Sequence, residues 1–178
     1  MSLVQLRVEG DEEPESLLSL LLACHARIRR FTRLALTIGV RPDMAAFEVQ
    51  GNAAQCLRYF TQALPLHVRD EEESLWPRLA GHDPALDATM AQMRAQHFAH
   101  VVLVEALTRA LRAVCLHPNQ PAAHRQLSAA ASTLEADFED HLSLEEQRLF
   151  PFLSRVLSAD ERETIVGELR ARRREEVR

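Results

Sequence analysis

A thirteen-residue pattern that occurs twice in this 178-residue chain narrows the folds open to it more than any other feature. His67-Val68-Arg69-Asp70-Glu71-Glu72-Glu73-Ser74-Leu75-Trp76-Pro77-Arg78-Leu79 and His141-Leu142-Ser143-Leu144-Glu145-Glu146-Gln147-Arg148-Leu149-Phe150-Pro151-Phe152-Leu153 align without a gap as H-x-x-x-E-E-x-x-L-[W/F]-P-x-L, 74 residues apart. In each copy a histidine and a glutamate four residues apart share one face of a helix. Long apolar runs precede both copies at a matching offset, so the chain reads as a duplicated pair of helices. With 5 Gly, and with Ala, Leu, Arg and Glu abundant, the composition suits helices better than a sheet protein rich in tight turns. The expected fold class is all-α: an up-down-up-down four-helix bundle with a short fifth helix at the C-terminus.

Local signals place the elements. Residues 1–13 alternate weakly and end in Gly10-Asp11-Glu12-Glu13, so they read as an N-terminal extension; 14–178 read as one domain, with no linker to mark a second. The first helix should open near Pro14, with Asp11 to Glu15 at the positive end of its dipole, and close at Gly39 as a C-terminal cap. On it His25 shares a face with Leu18, Leu21, Leu22 and Ile28 and points inward. The second should follow Arg41-Pro42-Asp43 and reach about Leu79, kinked near Leu64 to Leu66 by Pro65 and closed by Pro77 and Gly81. Asp83-Pro84 announces the third, whose core stripe steps through Met90, Met93, His97, His100, Val104, Leu107, Leu111 and Val114 before His117-Pro118. The fourth follows Asn119-Gln120-Pro121 and extends to about Leu157, with Leu127, Leu134, Phe138, His141, Glu145 and Leu149 near one stripe. Ser158-Ala159-Asp160-Glu161 has the form of a capping box and opens the fifth.

Several function classes drop out. The formal charge is −5, and 21 Lys+Arg mix with 26 Asp+Glu, so no field gathers nucleic acid. Arg170-Ala171-Arg172-Arg173-Arg174 runs straight into Glu175-Glu176 and reads as the solvated end of the last helix. Cys24, Cys56 and Cys115 are odd in number and widely spaced, which argues against a disulfide framework, a zinc knuckle or covalent haem and for a reducing, cytoplasmic compartment. No secretory signal is expected in the first fourteen residues, and no apolar run is long enough to span a membrane.

The inward polar residues carry the chemistry. His67 with Glu71, and His141 with Glu145, are joined by His25 from the first helix and by His97 or His100 from the third. Shared between two ions, with each glutamate bridging, six such ligands give each ion two imidazoles and two carboxylate oxygens. An oxo or hydroxo bridge makes a fifth donor and leaves one position open for dioxygen or nitric oxide. Imidazole with carboxylate suits iron or manganese better than calcium or magnesium, and no cysteine is in register to favour copper(I).

Glu72 and Glu146 point about 100° away from the preceding glutamates, which assigns them support behind the ligands or a place on the surface, with Glu146 an alternative to Glu145. Asp70, Glu73, His82, His117 and His124 are expected in solvent, and Trp76 and Phe150 in bundle-end packing rather than against a cofactor. A metal-free bundle remains the plain alternative, because an isolated core histidine or a single H-x-x-x-E is commonplace. Four or five imidazoles and two carboxylates converging in one core, however, carry a large desolvation cost unless something coordinates them.

The twin segments, each preceded by a helix with an inward histidine, resemble the hemerythrin-like or HHE cation-binding domain from about His25 to Pro151. That resemblance implies a four-helix bundle around a non-haem di-iron centre that binds oxygen or related small molecules. By position its ligands would be His25, His67, Glu71, one or both of His97 and His100, His141 and Glu145. Oxygen-carrying members present two histidines four apart on the third helix and an aspartate five after the histidine of the fourth; here the spacings are three and four. The pattern is closer to the four-His, two-Glu sites of iron-sensing and iron-sulfur-cluster-repair relatives. The expected function is a di-iron protein that binds or senses dioxygen, nitric oxide or iron. The alternative is a di-iron enzyme that consumes oxygen, peroxide or nitric oxide, although the E-x-x-H pairs of ferritin-like oxidases are missing.

Overall fold

The computed structural model describes residues 16–175, so the extension over 1–13 and the expected helix start at Pro14 lie outside the described residues. Among the described residues five helices follow one another: α1 (Leu17–Val40), α2 (residues 46–79), α3 (Pro84–Leu116), α4 (residues 121–156) and α5 (Ala159–Glu175). No strand occurs among the described residues. In the bundle α1 packs on α2 and α4, and α3 packs on the same two, which is the square of an up-down-up-down arrangement.

The caps follow the local chemistry. Ser16 is extended and its hydroxyl accepts the Ser19 N–H at 3.1 Å, so α1 opens on this serine. Asp83 accepts from Ala85 and Leu86 at the start of α3. Ser158 and Glu161 exchange the two bonds of a capping box at 3.2 and 2.8 Å. Gly81, at φ 80°, supplies the left-handed residue after α2.

Gly39 does not cap α1. It is buried inside the last turn, where an added Cβ would lie 2.5 Å from the backbone nitrogen of Ser128, so the glycine permits α4 to approach α1. His124 is likewise not a surface residue. It is buried, with its ring nitrogens 2.8 Å from the Ile38 carbonyl oxygen and 2.7 Å from that of Pro118, and it ties the end of α1 to the α3–α4 turn. His82 and His117 are exposed. On α1 the inward face is Leu17, Leu21, Cys24, His25 and Ile28; Leu18 and Leu22, expected beside His25, are 41% and 42% exposed.

Pro84 and Pro121 open α3 and α4, but three other prolines are accommodated within the helices. Before Pro65, Pro77 and Pro151 the chain widens into π turns, Tyr59–Ala63, Asp70–Leu75 and Glu145–Leu149, and the helix then resumes. In each case the residue before the proline donates to the carbonyl five back: Leu64 to Tyr59, Trp76 to Glu71, Phe150 to Glu145. A proline in an α-helix loses one bond and collides with the carbonyl four residues earlier; a wider turn makes room for the ring. The irregularity near Pro65 therefore sits a turn earlier than expected, and Pro77 and Pro151 do not terminate their helices.

Two apolar cores fill the bundle. One includes Ile38, Val49, Phe60, Leu107, Leu111, Leu127 and Phe138. The other includes Leu21, Leu75, Leu79, Leu86, Met93, Leu149 and Leu153, and takes in Ile165 and Leu169 of α5. Each fully buried Leu or Ile contributes about 1.5–3 kcal/mol. Along each long helix the inward histidines and glutamates lie between residues of the two cores, so the polar layer is set into the middle of the bundle. No described helix is long and apolar enough to cross a membrane, and all three cysteines are free.

Candidate metal centre

The buried polar residues converge in two overlapping groups. Single donor atoms of His25, His67, Glu71 and Glu145 all lie within 4.8 Å of one another, and the same holds for Glu71, His97 and His141. All six are buried, and the glutamates are fully so. Glu71 belongs to both groups: its Oε1 is 2.9 Å from His67 Nε2, and its Oε2 is 3.1 Å from His97 Nε2. Glu145 belongs to the first alone, with Oε2 3.0 Å from His25 Nε2. The expectation that both glutamates bridge thus meets an arrangement in which one is shared.

His100 joins neither group. It is buried, but its Nε2 lies 2.7 Å from Asp137 Oδ2, toward the half-exposed flank of α4, and its ring stands edge-on to His141 at 4.9 Å. Of the two candidate histidines of α3, His97 is the one brought to the centre.

The residues after the first glutamate of each repeat grip a histidine of a neighbouring helix. Glu146 Oε1 is 2.8 Å from His25 Nδ1, while Phe150 stacks on that ring at 5.1 Å. Glu72 Oε1 is 2.9 Å from His97 Nδ1, and Trp76 stacks on the ring at 5.1 Å. Trp76 and Phe150 are therefore contacts of the site and not only bundle-end packing. An imidazole that donates from Nδ1 to a carboxylate presents Nε2 as the acceptor, with its ring fixed in place. Arg29 holds Glu146 at 2.8 Å and pairs with Glu139 on the far side. Gln96 Oε1 accepts from His141 Nδ1 at 2.9 Å. Sequence reading missed Gln96 and Arg29; the position of Gln96 directly before His97 was the available signal.

The donor set fits a bound cation. Both ring nitrogens of His67, both oxygens of Glu71 and one oxygen of Glu145 are buried without a hydrogen bond. His67 and Glu71 are close, yet they do not align as donor and acceptor. Each orphaned polar atom costs about 1–3 kcal/mol in a dry core, and a shared cation is the partner that would satisfy lone pairs converging from four helices.

The electrostatics agree. Burial lifts the carboxyl of Glu145 above its usual range, helped by the charge of Glu71, whereas burial of Glu71 is outweighed by His67 and His97, which hold it well below. Two carboxylates sharing one site split in this way. Burial disfavours charge on His25, His67 and His97, but the adjoining glutamates outweigh it and raise all three. Burial pushes His141 down to about 3; the charge of Glu71 opposes this, and the neighbouring imidazoles of His97, His100 and His67 add to the lowering.

Asp70, expected in solvent, is 1% exposed and lies between Arg172 and Arg173 of α5, so that arginine cluster is not a free solvated end. Glu73 stays on the surface with Arg69.

Comparison with known proteins places this architecture. The family model for the hemerythrin HHE cation binding domain matches residues 16–165. An uncharacterized protein of Haemophilus influenzae is 28% identical over 130 residues, 70% of this chain and 64% of the relative, so the chain spans just under two thirds of that protein's length.

Proposed function

This chain belongs to the hemerythrin HHE cation-binding family, and from that premise we propose that its centre holds two iron ions and binds or senses dioxygen, nitric oxide or iron itself. The observation that carries the reading is the convergence of six buried donors from four helices into two groups that share Glu71, with lone pairs left unsatisfied by the protein. His25, His67, Glu71 and Glu145 would hold one ion, and Glu71, His97 and His141 the other. Bound there, an iron pair would supply redox-active centres able to take up a small exogenous ligand.

The chain's own residues orient and insulate that centre. Glu146, Glu72 and Gln96 aim three imidazoles inward; Phe150 and Trp76 cover two of them; and the apolar residues on either side limit water. Among the described residues no further histidine, cysteine, aspartate or glutamate completes either donor group. The test is to load the protein anaerobically with ferrous iron, add dioxygen or nitric oxide, and follow the optical spectrum together with consumption of the ligand. Saturable binding at one equivalent or less supports the reading. Multiple turnovers with oxygen, peroxide or nitric oxide would replace it with a di-iron enzyme.

A further inference from the structure

We propose that Asp70, clamped by Arg172 and Arg173 of α5, is a positioning residue that holds Glu71 in its shared place between the two donor groups. The proposal rests on the metal-centre reading above. Asp70 opens the π turn Asp70–Leu75, and Glu71 is the next residue. Its Oδ1 accepts from Arg172 Nη1 at 2.8 Å and its Oδ2 from Arg173 Nη2 at 2.6 Å. Arg172 also donates to Ser74 Oγ at 2.6 Å, and Glu168 of α5 accepts from Arg78 at 2.7 Å, so α5 grips the turn from its first residue to just past its last. Arg173 Nη2 lies 3.8 Å from Cys24 Sγ as well, and Cys24 directly precedes His25.

Docking of α5 alone does not explain this clamp. Ile165 and Leu169 already bury α5 in the apolar core, and a buried carboxylate between two guanidinium groups is an expensive way to add adhesion. What the clamp adds is direction. Widened turns are less regular than an α-helix, and a carboxylate that must face two groups tolerates little rotation. The second repeat supplies the contrast: Leu144 occupies the position of Asp70, and the following Glu145 serves one group only.

Wild type and Asp70→Asn are titrated anaerobically with ferrous iron against a competing chelator, with metal per chain, the oxidised optical spectrum and metal-free melting recorded. A Glu71 that turns back toward His67, one turn away on the same helix, keeps the four donors of the first group and leaves two in the second. Asp70→Asn should therefore keep one tightly bound ion and weaken the second by about tenfold or more, with an altered two-iron spectrum. Arg173→Lys, which keeps a cation on Asp70, should retain near-normal uptake. Glu168→Gln, which loosens α5 from Arg78 without touching Asp70, should leave both ions in place. Should Asp70→Asn fail to fold, Arg173→Met carries the test, because Arg172 still neutralises Asp70. Unchanged affinity for both ions in the aspartate variant, or an equal loss in Glu168→Gln, overturns the positioning role while the metal centre stands. Failure of the wild type to take up iron overturns the metal centre, and the proposal with it.

Discussion

The two copies of the repeat share six of their thirteen residues and are used differently. In both, the second glutamate and the aromatic residue grip a histidine of another helix: Glu72 and Trp76 hold His97, Glu146 and Phe150 hold His25. Both also pass through a π turn forced by the proline six residues after the first glutamate. They part at the glutamate itself. Glu71 faces both donor groups and is preceded by a buried aspartate tied to α5, whereas Glu145 faces one group and follows an apolar residue. Duplication supplies the two-fold scaffold, and a few side chains make its halves unequal, giving four donors on one side and three on the other.

Substitutions can break this comparison. The largest contrast is expected between Glu71→Ala and Glu145→Ala. The first removes a donor from both groups and should abolish binding of the second ion and weaken the first by more than about a hundredfold; the second should leave the group of His97 and His141 occupied. Metal analysis after dialysis measures both, and equal losses would mean that Glu71 is not shared.

Next is the aromatic pair. Trp76→Ala should cost about 3–5 kcal/mol of metal-free stability by thermal or denaturant melting. Trp76→Phe, which copies the second repeat into the first, should cost less than about 1.5 kcal/mol, because it keeps the stack on His97 and removes an indole N–H that is buried without an acceptor. A similar loss in both variants would show that shape, not burial, governs this position.

The smallest effects belong to the supporting carboxylates. Glu146→Gln and Glu72→Gln should each lower iron affinity by about 10–100-fold with little change in melting. Glu146 is the more protected of the two, since Arg29 holds it in place. Glu146→Gln should therefore be the more damaging, and the reverse order would sink the claim that Arg29 rigidifies that half.

Much of this was legible from residues alone. Periodicity located the helices, Asp83 and Ser158 marked caps that formed as read, and the repeat singled out four of the six residues that converge, with His25 read from the inward face of the first helix. Three of the misreadings share one cause, dependence on a partner distant in the chain. Gly39 looked like a cap because its spacing from Ser128 cannot be read locally. Asp70 and His124 looked exposed because their partners lie on α5 and at the end of α1. Leu18 and Leu22 are in register with His25, but the inward stripe of α1 is narrower than that pattern suggested. Two of the three π turns had a signal, a proline at the same offset in both copies; Pro77 reads as a helix stop unless the wider turn is considered, while Pro151 falls inside the fourth helix as expected. The choice between His97 and His100 needed geometry, since both lie on one buried stripe and only their tips diverge.

The central claim is that these donors form a two-ion iron centre. Its most direct test is iron per chain after anaerobic loading and removal of loosely bound metal, with the optical spectrum after oxidation. The account predicts two irons per chain and the absorption of a bridged ferric pair, both reduced in Glu71→Ala. A folded protein that retains no iron, or retains one ion without that spectrum, would contradict it.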